Sequence, residues 1–333
     1  MNQKTTIITG ATGFIGTNLC LKLLAKNHQI FAIDNHNSSS KNNLNYIKNF
    51  IKEQQISLDK FHFLEKNIID DFTDLNFFQN QPIDYIFNLA CPASPPRYQL
   101  DPIYTFKTSV WGNENLINLA KNLQQKQDYF PTIIFTSTSE IYGDALIHPQ
   151  PEGYWGNVNP VGVRSCYDEG KRASETLLYG YHRMENLPIK ILRIFNTYGE
   201  FMDKNDGRVV SNFINQALNN EDITIYGDGS QTRSFCYIED LLEILCKFAF
   251  ANDNFFGPIN CGNPQEFCVK DLAKLVIDLT NSKSQIKFLP LPQDDPKQRC
   301  PDISLANQKY LWSPKIDLKY GLKNTIKYFQ GLN

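Results

Sequence analysis

Tyr167 and Lys171 stand four residues apart in SCYDEGKRASETL, a stretch with helical periodicity, so both side chains leave one face of the helix. An ammonium beside a phenol favours the phenolate. It draws the phenol down from about 10 toward working pH and makes it a usable base. A second set of groups precedes this pair. The apolar run Ile133, Ile134, Phe135 breaks into TSTSEIYG, which places Thr138, Ser139 and Glu140 at a strand end. Thr138 is the expected partner of a substrate oxygen, with Ser139 beside it. Glu140 could order a water or donate a proton, and burial that raised its pKa would suit the donor role. Each signal has a plainer reading when taken alone. Ser and Thr leaving a sheet often bond their own backbone, and most YxxxK pairs are surface residues.

A third set fixes the context. Gly10, Gly13 and Gly16 in TGATGFIG, with Phe14 and Ile15 between them, follow the strand TTIIT and open the helix FIGTNLCLKLLAKN. Glycines there allow a tight turn and let backbone N–H groups at a helix N-terminus approach a pyrophosphate. The next strand, QIFAID, ends on Asp34, whose carboxylate is placed to accept both ribose hydroxyls of an adenosine. That favours NAD over NADP, whose extra phosphate would want an arginine; Asn35, His36 and Asn37 offer none.

The elements that must hold these groups alternate. Strand-like FHFL, IDYIFNLA, TIIFTS and IKILRIF are separated by helical patterns, including about 101–123 and 167–184. Parallel neighbours need long crossovers, so the expected fold is α/β, a Rossmann-type doubly wound parallel sheet. After Asn196 the pattern changes to loops, short strands (ITIYG, SFCYI, INCG) and separate helices. A smaller C-terminal α+β substrate-binding region is expected, with an NAD-binding part over 1–195 interlocked with a second part over 196–333.

Composition excludes several classes. The 333 residues are 41% hydrophobic and 20% charged, ordinary for a globular chain, and the net charge of -2 gives no bias toward nucleic acid or an anionic membrane. No apolar run is long enough to span a bilayer, and MNQKTTIITG lacks the apolar core of a secretory signal. Eight cysteines without a CxxC pair read as reduced thiols in a cytoplasmic protein, and five histidines without an HExxH pattern lead us to expect no metal.

The GxxGxxG spacing and the Thr/Ser, Tyr and Lys set resemble the extended short-chain dehydrogenase/reductase superfamily, the NAD-dependent epimerases and dehydratases. Longer blocks narrow the likeness. ACPASPPRYQLDPIYTFKTSV, STSEIYGDALIHPQPEGYWGNVNPVGVRSCYDEGKR, RIFNTYG, DGRVVSNFI, YGDGSQTRSF and DDPKQRCPDI resemble UDP-glucuronate decarboxylases (UDP-xylose synthases). The resemblance implies a lyase that oxidises C4 of the glucuronosyl unit, loses carbon dioxide from the resulting 4-ketone, protonates C5 and reduces C4 again, with the NAD recycled in place. It implies that Lys171 also holds the nicotinamide ribose, and that Asn35, Asn67, Ile68, Leu89 and Thr108 complete the cofactor contacts. Lys107, Asn196, Arg208, Gln231, Arg233 and Arg299 match substrate-side positions. A homodimer through the helices near 101–123 and 167–184 is implied as well.

Glu140 separates relatives. The 4,6-dehydratases usually carry Asp before this Glu, whereas Ser139 stands there in this chain, and the 4-epimerases generally lack the acid. A 4-epimerase or 4,6-dehydratase acting on another nucleotide sugar is the alternative enzyme reading. A catalytically silent NAD-sensing protein is the alternative from another class. The chain departs from the family's pattern at Asn67, where relatives carry aspartate, and at Glu200 and Phe201, which replace a Pro-Arg pair.

Overall fold

Strands buried on both faces need apolar side chains on both, and this sheet uses a two-residue alternation to serve two separate cores. Ile8, Ile30, Ala32, Phe87, Ile134 and Leu192 belong to one buried cluster, and Ile7, Phe31, Ile33, Ile86, Ile133 and Ile191 to the other. The computed structural model describes residues 3–72, 76–78, 81–290 and 298–332.

In chain order the first part contains β1 (Thr5–Thr9), α1 (Phe14–Ala25), β2 (Gln29–Asp34), α2 (Lys41–Glu53), β3 (Phe61–Glu65), β4 (Tyr85–Asn88), α3 (Pro95–Leu100), α4 (Pro102–Gln127), β5 (Thr132–Thr138), α5 (Ser165–Glu185) and β6 (Ile189–Ile194). There follow β7 (Thr197–Tyr198), α6 (Val209–Leu218), β8 (Ile223–Tyr226), β9 (Thr232–Ser234), β10 (Cys236–Tyr237), α7 (Ile238–Ala249), β11 (Ile259–Cys261), β12 (Glu266–Cys268), α8 (Val269–Thr280), β13 (Ile286–Leu289), α9 (Ser304–Tyr310) and α10 (Leu318–Gln330).

Seven strands form one sheet in the order β11-β6-β5-β4-β1-β2-β3, and every pairing in it is parallel. The chain runs outward from β1 to β3, then returns to β4 on the other side of β1. The strand order therefore reverses between β1 and β4, and in such sheets the crevice at the strands' carboxyl ends is where ligands bind. Leu116, Ile117, Ala120 and Leu123 of α4 and Leu178 of α5 fill one core, while α1, α2, α6, α7 and α8 cover the other.

The sequence pattern treats INCG as a short strand of the C-terminal region. In the structure it is β11, hydrogen-bonded in parallel to β6 at the edge of the main sheet, with Asn260 opposite Arg193. A run of three residues carries too little periodicity to say which sheet it joins. The remaining short strands pair as β10 with β7, β12 with β9, and β13 with β8.

Candidate active site

The first turn is constrained by close approach. Gly10 has φ +65°, and a Cβ there would meet the Leu89 carbonyl and Ala90 nitrogen at 2.9 Å. A Cβ on Gly16 would lie 2.0 Å from the Gly10 oxygen, so the helix cannot sit so near the strand with a side chain there. Gly13 is the N-cap of α1, which leaves the first backbone N–H groups of the helix directed at the crevice. At the end of β2, Asp34 is buried; its carboxylate accepts from Thr12 N at 2.9 Å, His36 N at 2.8 Å and Ser39 Oγ at 2.7 Å. Asp34, Asn35, Asn67, Ile68, Leu89 and Thr108 line one small pocket together with Gly10 and Gly13. Bare glycines, helix N–H groups and a fixed acid fit a dinucleotide.

That pocket adjoins a cleft of about 1090 Å³. Its walls include Gly10, Gly13, Phe14, Ile15 and Gly16 from the first turn, Thr138, Ser139 and Glu140 from the end of β5, and Tyr167 and Lys171 from α5. Asn196, Arg208, Gln231, Arg233 and Arg299 come to the same cleft from the C-terminal part. Lys107 does not. It is exposed on α4 with Nζ 5.9 Å from the centroid of the Trp111 ring, outside both cavities. Its neighbour Thr108 faces inward, and successive helix positions diverge too widely for both to do so.

Tyr167 and Lys171 are both buried. Lys171 Nζ donates to the Thr136 carbonyl at 2.9 Å and lies 5.8 Å from the centre of the Tyr167 ring. Burial of the site works against the effect of the ammonium on the phenol. Burial pushes the Tyr167 phenol up, a hydrogen bond with Thr138 opposes this only in part, and burial pushes the Lys171 ammonium down. Desolvation is the largest influence on both groups. The Thr138 hydroxyl also accepts from Glu140 N at 3.2 Å, capping the 3-10 turn Ser139–Tyr142.

At Glu140 the structure opposes the raised pKa that a proton-donor role would want. Burial alone would raise its pKa, but Arg299 and Arg164 outweigh that and hold the carboxyl well below the usual range. Arg164 Nη2 donates to Oε2 at 2.7 Å, Arg299 Nη2 to the same oxygen at 2.8 Å, and Arg299 Nη1 to Oε1. A carboxylate so held is an acceptor and a charge, not a proton donor. Asp168 shows the opposite behaviour in the same neighbourhood: burial first, and then the Glu140 charge, push its carboxyl well above the usual range.

Other arginines are engaged too. Arg208 donates to both oxygens of Asp206, with Nη2 at 3.2 Å from Oδ1, and lies over the Phe14 ring. Arg233 Nη1 donates to the Thr232 carbonyl at 2.8 Å, and Gln231 Nε2 to the Tyr226 carbonyl at 2.6 Å. Glu200, at the departure from Pro-Arg, accepts from Tyr237 OH at 2.8 Å, while Phe201 lines the cleft with φ +69°. Residues 294–297, the start of the DDPKQRCPDI block, lie outside the described residues.

Sequence reasoning missed Arg164, Asp168 and Tyr98. Arg164 is the N-cap residue of α5, and its signal was present as the arginine three positions before Tyr167. Tyr98 stacks on Tyr167 with centroids 5.1 Å apart and planes 6° from parallel, a contact between α3 and α5 that no spacing announces.

Comparison with known proteins agrees with this geometry. The model of the NAD dependent epimerase/dehydratase family matches residues 6–262, and the chain belongs to that family. Within it, the chain is 47% identical over 317 residues to UDP-glucuronic acid decarboxylase 3 of Arabidopsis thaliana, covering 95% of this chain and 86% of that protein. It is 42% identical over 328 residues to UDP-glucuronic acid decarboxylase 1 of Danio rerio, covering 98% and 73%. Among solved structures it is similar to the UDP-glucuronic acid 4-epimerase of Bacillus cereus, determined in complex with UDP-glucuronic acid and NAD. The TM-score is 0.84, at 26% identity over 99% of this chain and 100% of that one.

Proposed function

We propose that the protein converts UDP-glucuronate to UDP-xylose and carbon dioxide, using NAD that is recycled within the site. The observation that carries this reading is Glu140, preceded by Ser139 and held as a carboxylate between Arg164 and Arg299, in the same cleft as Tyr167 and Lys171. The decarboxylase names of the relatives support it. Gly10, Gly13, Phe14, Ile15 and Gly16 would hold the pyrophosphate side of NAD, and Asp34, Asn35, Asn67, Ile68, Leu89 and Thr108 the adenosine side. The cofactor supplies a hydride acceptor for C4 and returns the same hydride at the end.

The chain's own residues do the rest. Tyr167 takes the proton of the C4 hydroxyl, assisted by Lys171 and by the Thr138 hydroxyl. The ketone so formed lies β to the C6 carboxylate, so the electrons of the C5–C6 bond move into the carbonyl as carbon dioxide leaves. The enolate then takes a proton from solvent at C5, and Tyr167 returns its proton to the C4 oxygen as C4 is reduced. Glu140 keeps two guanidinium groups aimed into the cleft, where they meet the anionic sugar, and Ser139 cannot do the proton chemistry that an aspartate would do in a dehydratase. Arg208, Arg233, Gln231 and Asn196 face the nucleotide diphosphate.

The division of labour follows 1–195 for the cofactor and 196–333 for the nucleotide sugar, interlocked through β11. We further infer a cytoplasmic homodimer. α4 and α5 pack together and leave Ile103, Trp111 and Met184 exposed, and all eight cysteines are free thiols. Among the described residues no helix is long and apolar enough to cross a membrane.

Incubation of the pure protein with UDP-glucuronate, followed by proton NMR, tests the activity. UDP-xylose is expected, and Tyr167→Phe is expected to abolish its formation while NAD still binds. A 4-epimer of the uronate as the sole product would favour the epimerase reading, and a near-normal rate in Tyr167→Phe would remove Tyr167 as the base.

A further inference from the structure

Three side chains outside the cleft converge from three separate segments: His148 from a loop, Glu266 from β12 and Cys300 from the strand-like run beside Gln150. One ligand atom from each lies within 4.8 Å of the others, and His148 Nε2 is 2.9 Å from Glu266 Oε2. None of the three lines the cleft or takes part in the chemistry above.

The cluster is held from behind. Thr232 Oγ1 donates to Glu266 Oε1 at 2.6 Å, which fixes one carboxylate oxygen and turns the other to His148. Gln150 brackets Cys300, its backbone N–H donating to the Cys300 carbonyl and its side-chain oxygen accepting from Cys300 N, each at 2.9 Å. A histidine on a glutamate is an ordinary ion pair and needs no third member. The thiol is what distinguishes this place: Cys300 is buried, and its Sγ donates to the Pro264 carbonyl at 3.3 Å. His148 and Glu266 keep about a third of their side chains exposed, at 32% and 28%, so an ion can enter from solvent.

Imidazole, thiolate and carboxylate together are a zinc-class donor set. Bonds of about 2.0–2.3 Å in a tetrahedral site put neighbouring ligand atoms about 3.3–3.8 Å apart. A cluster already confined within 4.8 Å needs a movement on the order of 1 Å to reach that geometry. We propose that His148, Glu266 and Cys300 form a binding site for one divalent zinc-class ion, with the fourth position open to water. The Cys300 thiol loses its proton to solvent as the sulfur–metal bond forms. This departs from the sequence-based expectation of no metal, which rested on adjacent motifs; these ligands are scattered over more than 150 positions. Because Cys300 follows Arg299, the bound ion would also fasten the segment that carries one of the two arginines on Glu140.

Cobalt(II), added to the full chain with its thiols reduced, is the probe. The expected result is one equivalent bound, with a thiolate-to-cobalt charge-transfer band and tetrahedral ligand-field bands that zinc(II) displaces. Cys300→Ser is expected to abolish the charge-transfer band, and His148→Ala, at an exposed position that leaves folding intact, to weaken binding by at least about 100-fold. Absence of the band in the wild-type protein, or a band that survives Cys300→Ser because another cysteine supplies the sulfur, overturns the assignment.

Discussion

Glu175 and Glu140 are both clamped by arginine, and they differ in what surrounds the clamp. Glu175 on α5 accepts from Arg193 Nε at 3.0 Å, Arg193 Nη2 at 2.7 Å and Ser137 Oγ at 2.5 Å. Arg193 in turn donates to Tyr142 OH and to the Glu152 carbonyl, and Tyr142 OH donates to Asn260 on β11. This cluster ties β5, α5, β6 and β11 together behind the cleft, and neither Glu175 nor Arg193 lines it. Glu140, Arg164 and Arg299 all do, and Arg299 is 159 positions away in sequence. The same pair chemistry therefore serves two ends. Enclosed and fully matched, it fastens the sheet; opened to a cavity, it presents charge to whatever enters.

The sharpest way to break the comparison is to remove each acid in turn. Glu175→Ala leaves Arg193 buried without its counter-ion and is expected to cost about 3–5 kcal/mol, read as a lowered midpoint in urea unfolding. Glu140→Gln is expected to cost less stability than that and to slow turnover by roughly 100-fold. The loss should fall on carbon dioxide release more than on the first hydride transfer, so reduced cofactor should accumulate at its absorbance in rapid mixing. Equal slowing of both steps would show that the two arginines it aims do not act on the carboxylate that leaves.

A smaller effect lies in the pH dependence. Glu140 has a folded pKa lowered from 4.5, so its contribution to stability is present above that value and lost as pH falls through the lowered one. Asp168 has a folded pKa raised from 3.8, so between 3.8 and the raised value the unfolded chain ionises first and stability falls as pH rises. Asp168→Asn is expected to flatten this falling limb, between pH 3.8 and about 8, by about 1 kcal/mol. Because the Glu140 charge is part of what raises Asp168, Glu140→Gln should flatten the same limb partly; a limb flattened by Asp168→Asn and unchanged by Glu140→Gln would separate the two groups.

What could be read from the sequence follows the range of the interactions. The glycines of the first turn are forced by close backbone contacts within the turn and with Leu89 and Ala90 just past β4, and a local pattern records that kind of constraint. Tyr167 and Lys171 share a face because they share a helix. The state of Glu140 depends on Arg299, brought in by the C-terminal part, and no window of residues contains both. Burial of the Tyr167 phenol is a property of the packed site, and a rule based on the neighbouring charge does not contain it. Lys107 was assigned from its match to relatives, and it lies exposed on α4 beside the inward-facing Thr108.

The most direct test of the central claim uses UDP-glucuronate labelled with carbon-13 in the carboxyl group, followed by carbon NMR with no added reductant. The account predicts that the label leaves as carbon dioxide and bicarbonate, in step with the appearance of UDP-xylose. Retention of the label in a nucleotide uronate whose C4 configuration has inverted would contradict it.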